Sequence, residues 1–226
     1  MNDEGSTFDK YYVYYDCSTN CYDCNACCGN YSIICFNINI IRKCVIFIYE
    51  ITKYASPIGM ITLASDGQNV IGLWLEGQKY HGETLFEEWV ENDRLPVFEL
   101  AKQWLDQYFA GEAPAIADLP LAPIGSEFRQ AVWKILEEIP YGQVVTYGQI
   151  AEKMALDMGR STMSSQAVGG AVGHNPISII IPCHRVVGSD GSLTGYAGGL
   201  PNKIKLLTLE GVDMTDLYVP KQGTAL

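Results

Sequence analysis

Cys183 is followed directly by His184 and Arg185, and it stands alone among the last 182 residues. The other seven cysteines, Cys17, Cys21, Cys24, Cys27, Cys28, Cys35 and Cys44, crowd into the first 44. A solitary cysteine beside a histidine is a candidate nucleophile; the competing reading is a buried cysteine acting as a small hydrophobe. A free thiol ionises near pKa ~8.5, so at neutral pH only a few per cent is the reactive thiolate unless a neighbour helps. His184 and Arg185 are the nearby proton-accepting or positive groups. In an extended segment adjacent side chains point to opposite faces, so a bridging water or a local turn has to carry the proton between Cys183 and His184. Only His81, His174 and His184 could serve as the base. A histidine base needs an orienting acid, and Glu210, in the helical stretch Lys203–Glu210, is the best placed downstream candidate.

The segment Asn175-Pro176-Ile177-Ser178-Ile179-Ile180-Ile181-Pro182-Cys183 leads an apolar, β-branched run into the cluster, and a glycine-rich loop follows. Apolar walls and a proline hold such a group rigid. Upstream, 51–55, 59–65 and 69–75 read as short strands separated by turn residues. Apolar spacing predicts a helix over 98–109 that stops before Gly111. A Pro-rich linker at 113–123 separates this sheet-plus-helix unit from a second one. There the pattern predicts helices over 128–139, 146–154 (with Thr146 as N-cap) and 164–173. The last two, joined by a polar turn at 157–161, suggest a helix-turn-helix. Ala167, Gly169, Gly170, Ala171 and Gly173 leave one flank of the last helix nearly bare. Each helical glycine costs ~1 kcal/mol against alanine, so either close helix packing or close approach to a narrow surface such as a minor groove must explain them. The fold class expected is α+β, a small N-terminal sheet-plus-helix domain before a mainly helical, winged-helix-like domain.

Net charge is -11, which taken alone argues against a nucleic-acid partner. The charge is unevenly distributed: residues 1–122 carry net -10 and residues 123–226 net -1, so local DNA binding with few phosphate contacts stays open. No apolar run reaches the ~18–20 residues of a membrane span. Residues 1–50 are rich in Tyr, Asn, Ile and Cys, begin with an acidic stretch and carry no recognisable targeting signal. Cys17-x3-Cys21-x2-Cys24 matches an iron–sulfur spacing, and close cysteine pairs also bind zinc. The plainer reading is a disordered or adventitious leader, its composition suiting translated AT-rich sequence upstream of the true start.

Pro182-Cys183-His184-Arg185-Val186-Val187, with Asn175-Pro176 before it and Thr194-Gly195-Tyr196-Ala197-Gly198-Gly199 after it, resembles the methylated-DNA–protein-cysteine methyltransferases, over roughly 51–212. That resemblance implies a ribonuclease-H-like domain at 51–122 and a DNA-binding, active-site domain at 123–226. It implies no cofactor and no metal, a monomer in the cytoplasm, and double-stranded DNA containing O6-alkylguanine as partner, and leaves open whether O4-methylthymine is a second lesion. By the same resemblance Cys183 accepts the alkyl group, His184 is its base through water, Glu210 orients that histidine and Asn175 braces the site. Tyr147 helps to rotate the nucleotide out of the duplex and can donate a proton. Tyr196, Ala197 and Val186 line the guanine pocket, and Ser189 contacts phosphate. One position departs: Gln166 stands where many relatives carry an arginine that fills the space of the flipped base, predicting weaker or more salt-tolerant DNA binding. A non-catalytic sensor of alkylated bases is the alternative activity, but such relatives lack the cysteine that this chain retains.

Overall fold

The computed structural model describes residues 12–16, 33–38, 41–47, 49–85 and 89–221. In the first fifty residues, β1 (Tyr12–Asp16), β2 (Ile33–Ile38) and β3 (Ile41–Phe47) form an antiparallel sheet in the order β1-β3-β2. Cys17, Cys21, Cys24, Cys27 and Cys28, on which the metal readings rest, lie outside the described residues.

Short apolar-rich runs bounded by turn residues build the next sheet. β4 (Tyr49–Ser56) and β5 (Gly59–Ser65) form a hairpin closed at Ser56↔Gly59, where Gly59 takes φ +123°. β6 (Val70–Leu75) pairs antiparallel with β5, and the short β7 (Trp89–Glu91) pairs parallel with β4. Ile61, Leu63, Leu73 and Leu75 face α1 (Pro96–Phe109), which answers with Phe98, Ala101, Leu105 and Tyr108. Ile51, Ala64, Ile71 and Trp74 fill the opposite face. A register shift at Ala64/Ser65 turns Val70 back to the α1 side. The sequence pattern misses β7, a strand of three exposed residues.

β6 joins this unit to the rest of the chain. Its edge is covered twice, by the linker (Val70 N–H to Pro120 O, 2.8 Å) and by the segment before Cys183 (Leu73 N–H to Pro176 O, 2.8 Å). Both contacts pair edge groups that would otherwise be open. The second unit is helical. Ser126 caps α2 (Glu127–Glu137), and Thr146 with Gln149 makes a capping box on α3 (Tyr147–Asp157). Ser164 caps α4 (Ser165–Gly173), completing the helix-turn-helix. β8 (Val145–Thr146) lies parallel to β9 (Val186–Val187), tying the entry of α3 to the exit of the Cys183 turn. α5 (Leu200–Leu209) closes the domain. No helix among the described residues is long and apolar enough to cross a membrane.

Candidate active site

The run 177–182 does not extend as its β-branched composition suggests; it coils into consecutive tight turns. Ile180 N–H donates to Ser178 O at 2.8 Å across Ile179, whose φ is +70°. That conformation is strained for a β-branched residue and persists only where its surroundings dictate it. The surroundings are the Asn175 side chain. Its Nδ2 donates to Ile181 O at 2.8 Å and to Ile177 O at 3.3 Å, while its Oδ1 accepts from Ile177 N–H at 3.0 Å. A second turn at Pro182 (Cys183 N–H to Ile181 O, 2.8 Å) leads into a short 3-10 turn, Cys183–Arg185. Cys183 and His184 therefore sit on a local turn and not in an extended segment.

Cys183 is a free cysteine, 4% exposed, and Asn175 Nδ2 also donates to its sulfur at 3.1 Å. Burial pushes the thiol above its ordinary pKa, against the Asn175 hydrogen bond and the charge of Lys203, so the resting group is the thiol. Arg185 is not one of its helpers. The guanidinium turns away, giving Nε to Glu210 Oε2 at 2.8 Å, Nη2 to Glu210 Oε1 at 2.9 Å and Nη1 to Ile139 O at 2.6 Å. The nearby cation is Lys203, fully buried, whose Nζ donates to Val186 O (2.6 Å) and Thr194 O (2.9 Å). Burial lowers its pKa to about 8.

His184 Nε2 lies 2.7 Å from Glu210 Oε1. Although burial alone would raise its pKa, hydrogen bonds from His184 and Arg185 hold the Glu210 carboxyl at about 2. An ionised carboxylate accepts only, which fixes the proton of a neutral His184 on Nε2. Burial lowers the His184 pKa, so the neutral ring prevails. Its Nδ1, buried and without a hydrogen-bond partner among the described residues, is then the bare, proton-accepting nitrogen. Two further groups, unforeseen in the sequence, complete the carboxylate's shell: Tyr108 hydroxyl at 2.7 Å from Oε1 and Gly142 N–H at 3.3 Å from Oε2.

Beside this cluster opens a cavity of about 800 Å³ lined by Tyr147, Gln166, Ser189, Tyr196 and Ala197. Tyr147 donates to Thr194 O at 3.3 Å, and burial raises its pKa to about 12, so it enters any reaction protonated. Tyr196 is buried, its pKa raised by desolvation and by Cys183. Val186 is buried in β9, and its carbonyl accepts from Lys203. Gln166 is exposed on α4, and Ser189 on a turn beside the ionised Asp190. The bare flank of α4 is not a packing surface. A Cβ added at Gly170 or Gly173 meets nothing within 4 Å, and one at Gly169 meets only the Tyr147 ring, at 3.7 Å. Val168, Ala171 and Val172 form the buried face instead. No cluster of three or more potential metal ligands occurs among the described residues.

Residues 49–123 match the ribonuclease-like domain, and residues 127–212 the DNA binding domain, of 6-O-methylguanine DNA methyltransferase. A methylated-DNA–protein-cysteine methyltransferase of Haemophilus influenzae is 42% identical, the alignment covering 73% of this chain and 88% of that protein. The chain belongs to the methylated-DNA–protein-cysteine methyltransferase family. A second member, from Methanosarcina acetivorans, is 45% identical over 70% of this chain and 96% of its own length. Among solved structures, the Mycobacterium tuberculosis O6-methylguanine methyltransferase superposes with a TM-score of 0.61 at 40% identity, over 72% of this chain and 92% of that one. The M. tuberculosis OGT in complex with DNA gives the same TM-score at 41% identity, with the same coverage. The α+β architecture is thus the methyltransferase fold.

Proposed function

We propose that this protein repairs alkylated DNA by direct reversal, moving the alkyl group of O6-alkylguanine in a duplex irreversibly onto Cys183. The observation that carries this reading is a buried thiol, held by Asn175 and neighboured by a His184–Glu210 pair, beside a cavity that borders the glycine flank of α4. In a stacked duplex the O6 atom is out of reach of a fixed nucleophile, so the base must be flipped out. The bare flank of α4 suits close approach to a minor groove, with Gln166 and Ser189 contacting DNA and Tyr147 turning the nucleotide. Tyr196 and Ala197 wall the flipped base.

Because the resting sulfur is protonated, ionisation has to accompany attack. His184, steadied by Glu210, takes the thiol proton through a bridging water, and the sulfur then attacks the alkyl carbon. The S–C bond forms as the C–O6 bond breaks, and its electron pair passes to the guanine. Tyr147 donates a hydrogen bond to that anion, and the proton released from the thiol finally neutralises it. The products are unmodified guanine and a thioether that water does not cleave, so each molecule acts once. The same reading takes 51–122 as a scaffold, 123–226 as the reactive domain and 1–50 as a leader outside the chemistry, in a cytoplasmic monomer that needs no cofactor.

The test is stoichiometric. A duplex with one labelled O6-methylguanine, mixed with excess DNA over protein, should lose label to the protein until one equivalent is bound, leaving guanine in the strand. Turnover beyond one equivalent, or label kept on the DNA, contradicts it.

A further inference from the structure

Tyr108 belongs to α1, in the N-terminal unit, yet its hydroxyl ends 102 residues away in sequence on the Glu210 carboxylate. The oxygen it reaches, Oε1, is the one that His184 Nε2 also uses, and the hydroxyl lies 3.5 Å from that nitrogen. The ring is fully buried, stacked on Trp104 (centroids 5.4 Å apart) and edge-on to Tyr141 (5.9 Å). Such a side chain has one orientation. We infer that Tyr108 is a positioning residue for the alkyl transfer: by sharing Glu210 Oε1 with His184, it sets the strength of the His184–Glu210 hydrogen bond and so makes α1 a part of the reactive machinery.

The acceptor capacity of one oxygen is divided here. Oε1 holds three donors, Tyr108, His184 and Arg185, and each one it accepts drains charge that the others would use. With the phenol removed, the carboxylate binds His184 more strongly and favours the imidazolium. The charged and titratable groups around Tyr108 are Glu210, His184, Arg185, Tyr141 and Tyr196. Glu137 faces it across a cavity of about 270 Å³. Lys203 and Cys183 lie beyond His184. Of these, His184 is the one proton-accepting ring that shares an acceptor atom with Tyr108.

The inference rests on the alkyl-transfer reading, but its test does not depend on activity alone. In full-length protein with ring-labelled histidine, three residues report, and Tyr108→Phe should raise the His184 titration midpoint by roughly half to one pH unit. The acid limb of the single-turnover transfer rate should move up with it, while affinity for unmodified DNA stays the same. Leu105→Ala, which removes a buried apolar α1 side chain that cannot hydrogen-bond to Glu210, should lower stability and leave both midpoints in place. A His184 midpoint in Tyr108→Phe equal to wild type overturns the inference. A wild-type protein that transfers no methyl group overturns the alkyl-transfer reading instead, and the histidine titration still judges Tyr108. Should Tyr108→Phe fail to fold, the wild type decides the question through a downfield hydroxyl proton close to the His184 ring. That resonance should shift when Cys183 is alkylated, and one that does not move counts against the proposal.

Discussion

The side-chain amide of Asn175 donates at once to the sulfur of Cys183, at 3.1 Å, and to the carbonyl of Ile181, at 2.8 Å. One planar group therefore holds the strained turn closed and supports the developing thiolate. Asn175→Ala leaves the Ile181 carbonyl and the Ile177 N–H without their buried partner, a loss of roughly 2 kcal/mol in stability. The methyl-transfer rate should fall further, on the order of 100-fold, because the sulfur is no longer fixed. Asn175→Asp should be slower than wild type as well, since a carboxylate there opposes thiolate formation. Chemical denaturation and single-turnover transfer separate the two effects.

Gly170 separates folding from DNA binding. A Cβ there meets nothing within 4 Å, so Gly170→Ala should stabilise the helix by up to ~1 kcal/mol. Gly170→Leu should fold as well as wild type yet bind duplex DNA at least tenfold more weakly, if this flank approaches the groove. Equal affinity for Gly170→Leu and wild type in a titration would show that the flank faces solvent in the complex.

Much of this arrangement is legible in the sequence because it is local. Thr146 caps α3 as its place before the helical pattern suggests, and Cys183 and His184 are neighbours in the chain. Glu210 is reached through triad logic and the family resemblance. Contacts fixed by packing are not legible: nothing in the sequence around Tyr108 or Lys203 points to Glu210 or to the Val186 carbonyl. Arg185 reads as a charge near the thiol, but a side chain that long takes its direction from the carboxylate it meets. The run at 177–181 misleads because β-branched composition favours strands, whereas Asn175 and Pro182 impose turns on it.

The two positions proposed to contact DNA from α4 and the turn after β9, Gln166 and Ser189, carry no positive charge. Asp190, held ionised by hydrogen bonds from Ser192 and Tyr218, stands next to Ser189. Gln166→Arg should tighten duplex binding and steepen the dependence of log affinity on log salt by ~1, as one more phosphate contact would. Asp190→Asn should tighten binding by relieving repulsion, with the larger gain at low salt. Affinities measured across a salt series decide both, and curves that overlay wild type would remove charge from the explanation.

Glu210 also couples stability to pH. Its carboxyl is held at about 2 in the folded chain against an ordinary value of 4.5, so the native state binds its proton less readily than the unfolded one. The stabilisation is present in full above pH 4.5 and disappears as pH falls through about 2. Glu210→Gln should cost roughly 3 kcal/mol at neutral pH, and its stability should decline less than that of wild type on acidification. Parallel decline of the two proteins between neutral and acid pH would place the coupling elsewhere.

The claim on which the rest depends is that Cys183 is the alkyl acceptor. Mass spectrometry of the intact protein and its peptides, after incubation with a duplex holding one O6-methylguanine, tests it most directly. One methyl-sized gain is expected, confined to the peptide bearing Cys183 and absent in Cys183→Ala. A methyl group on any other residue, or the same gain in Cys183→Ala, would contradict it.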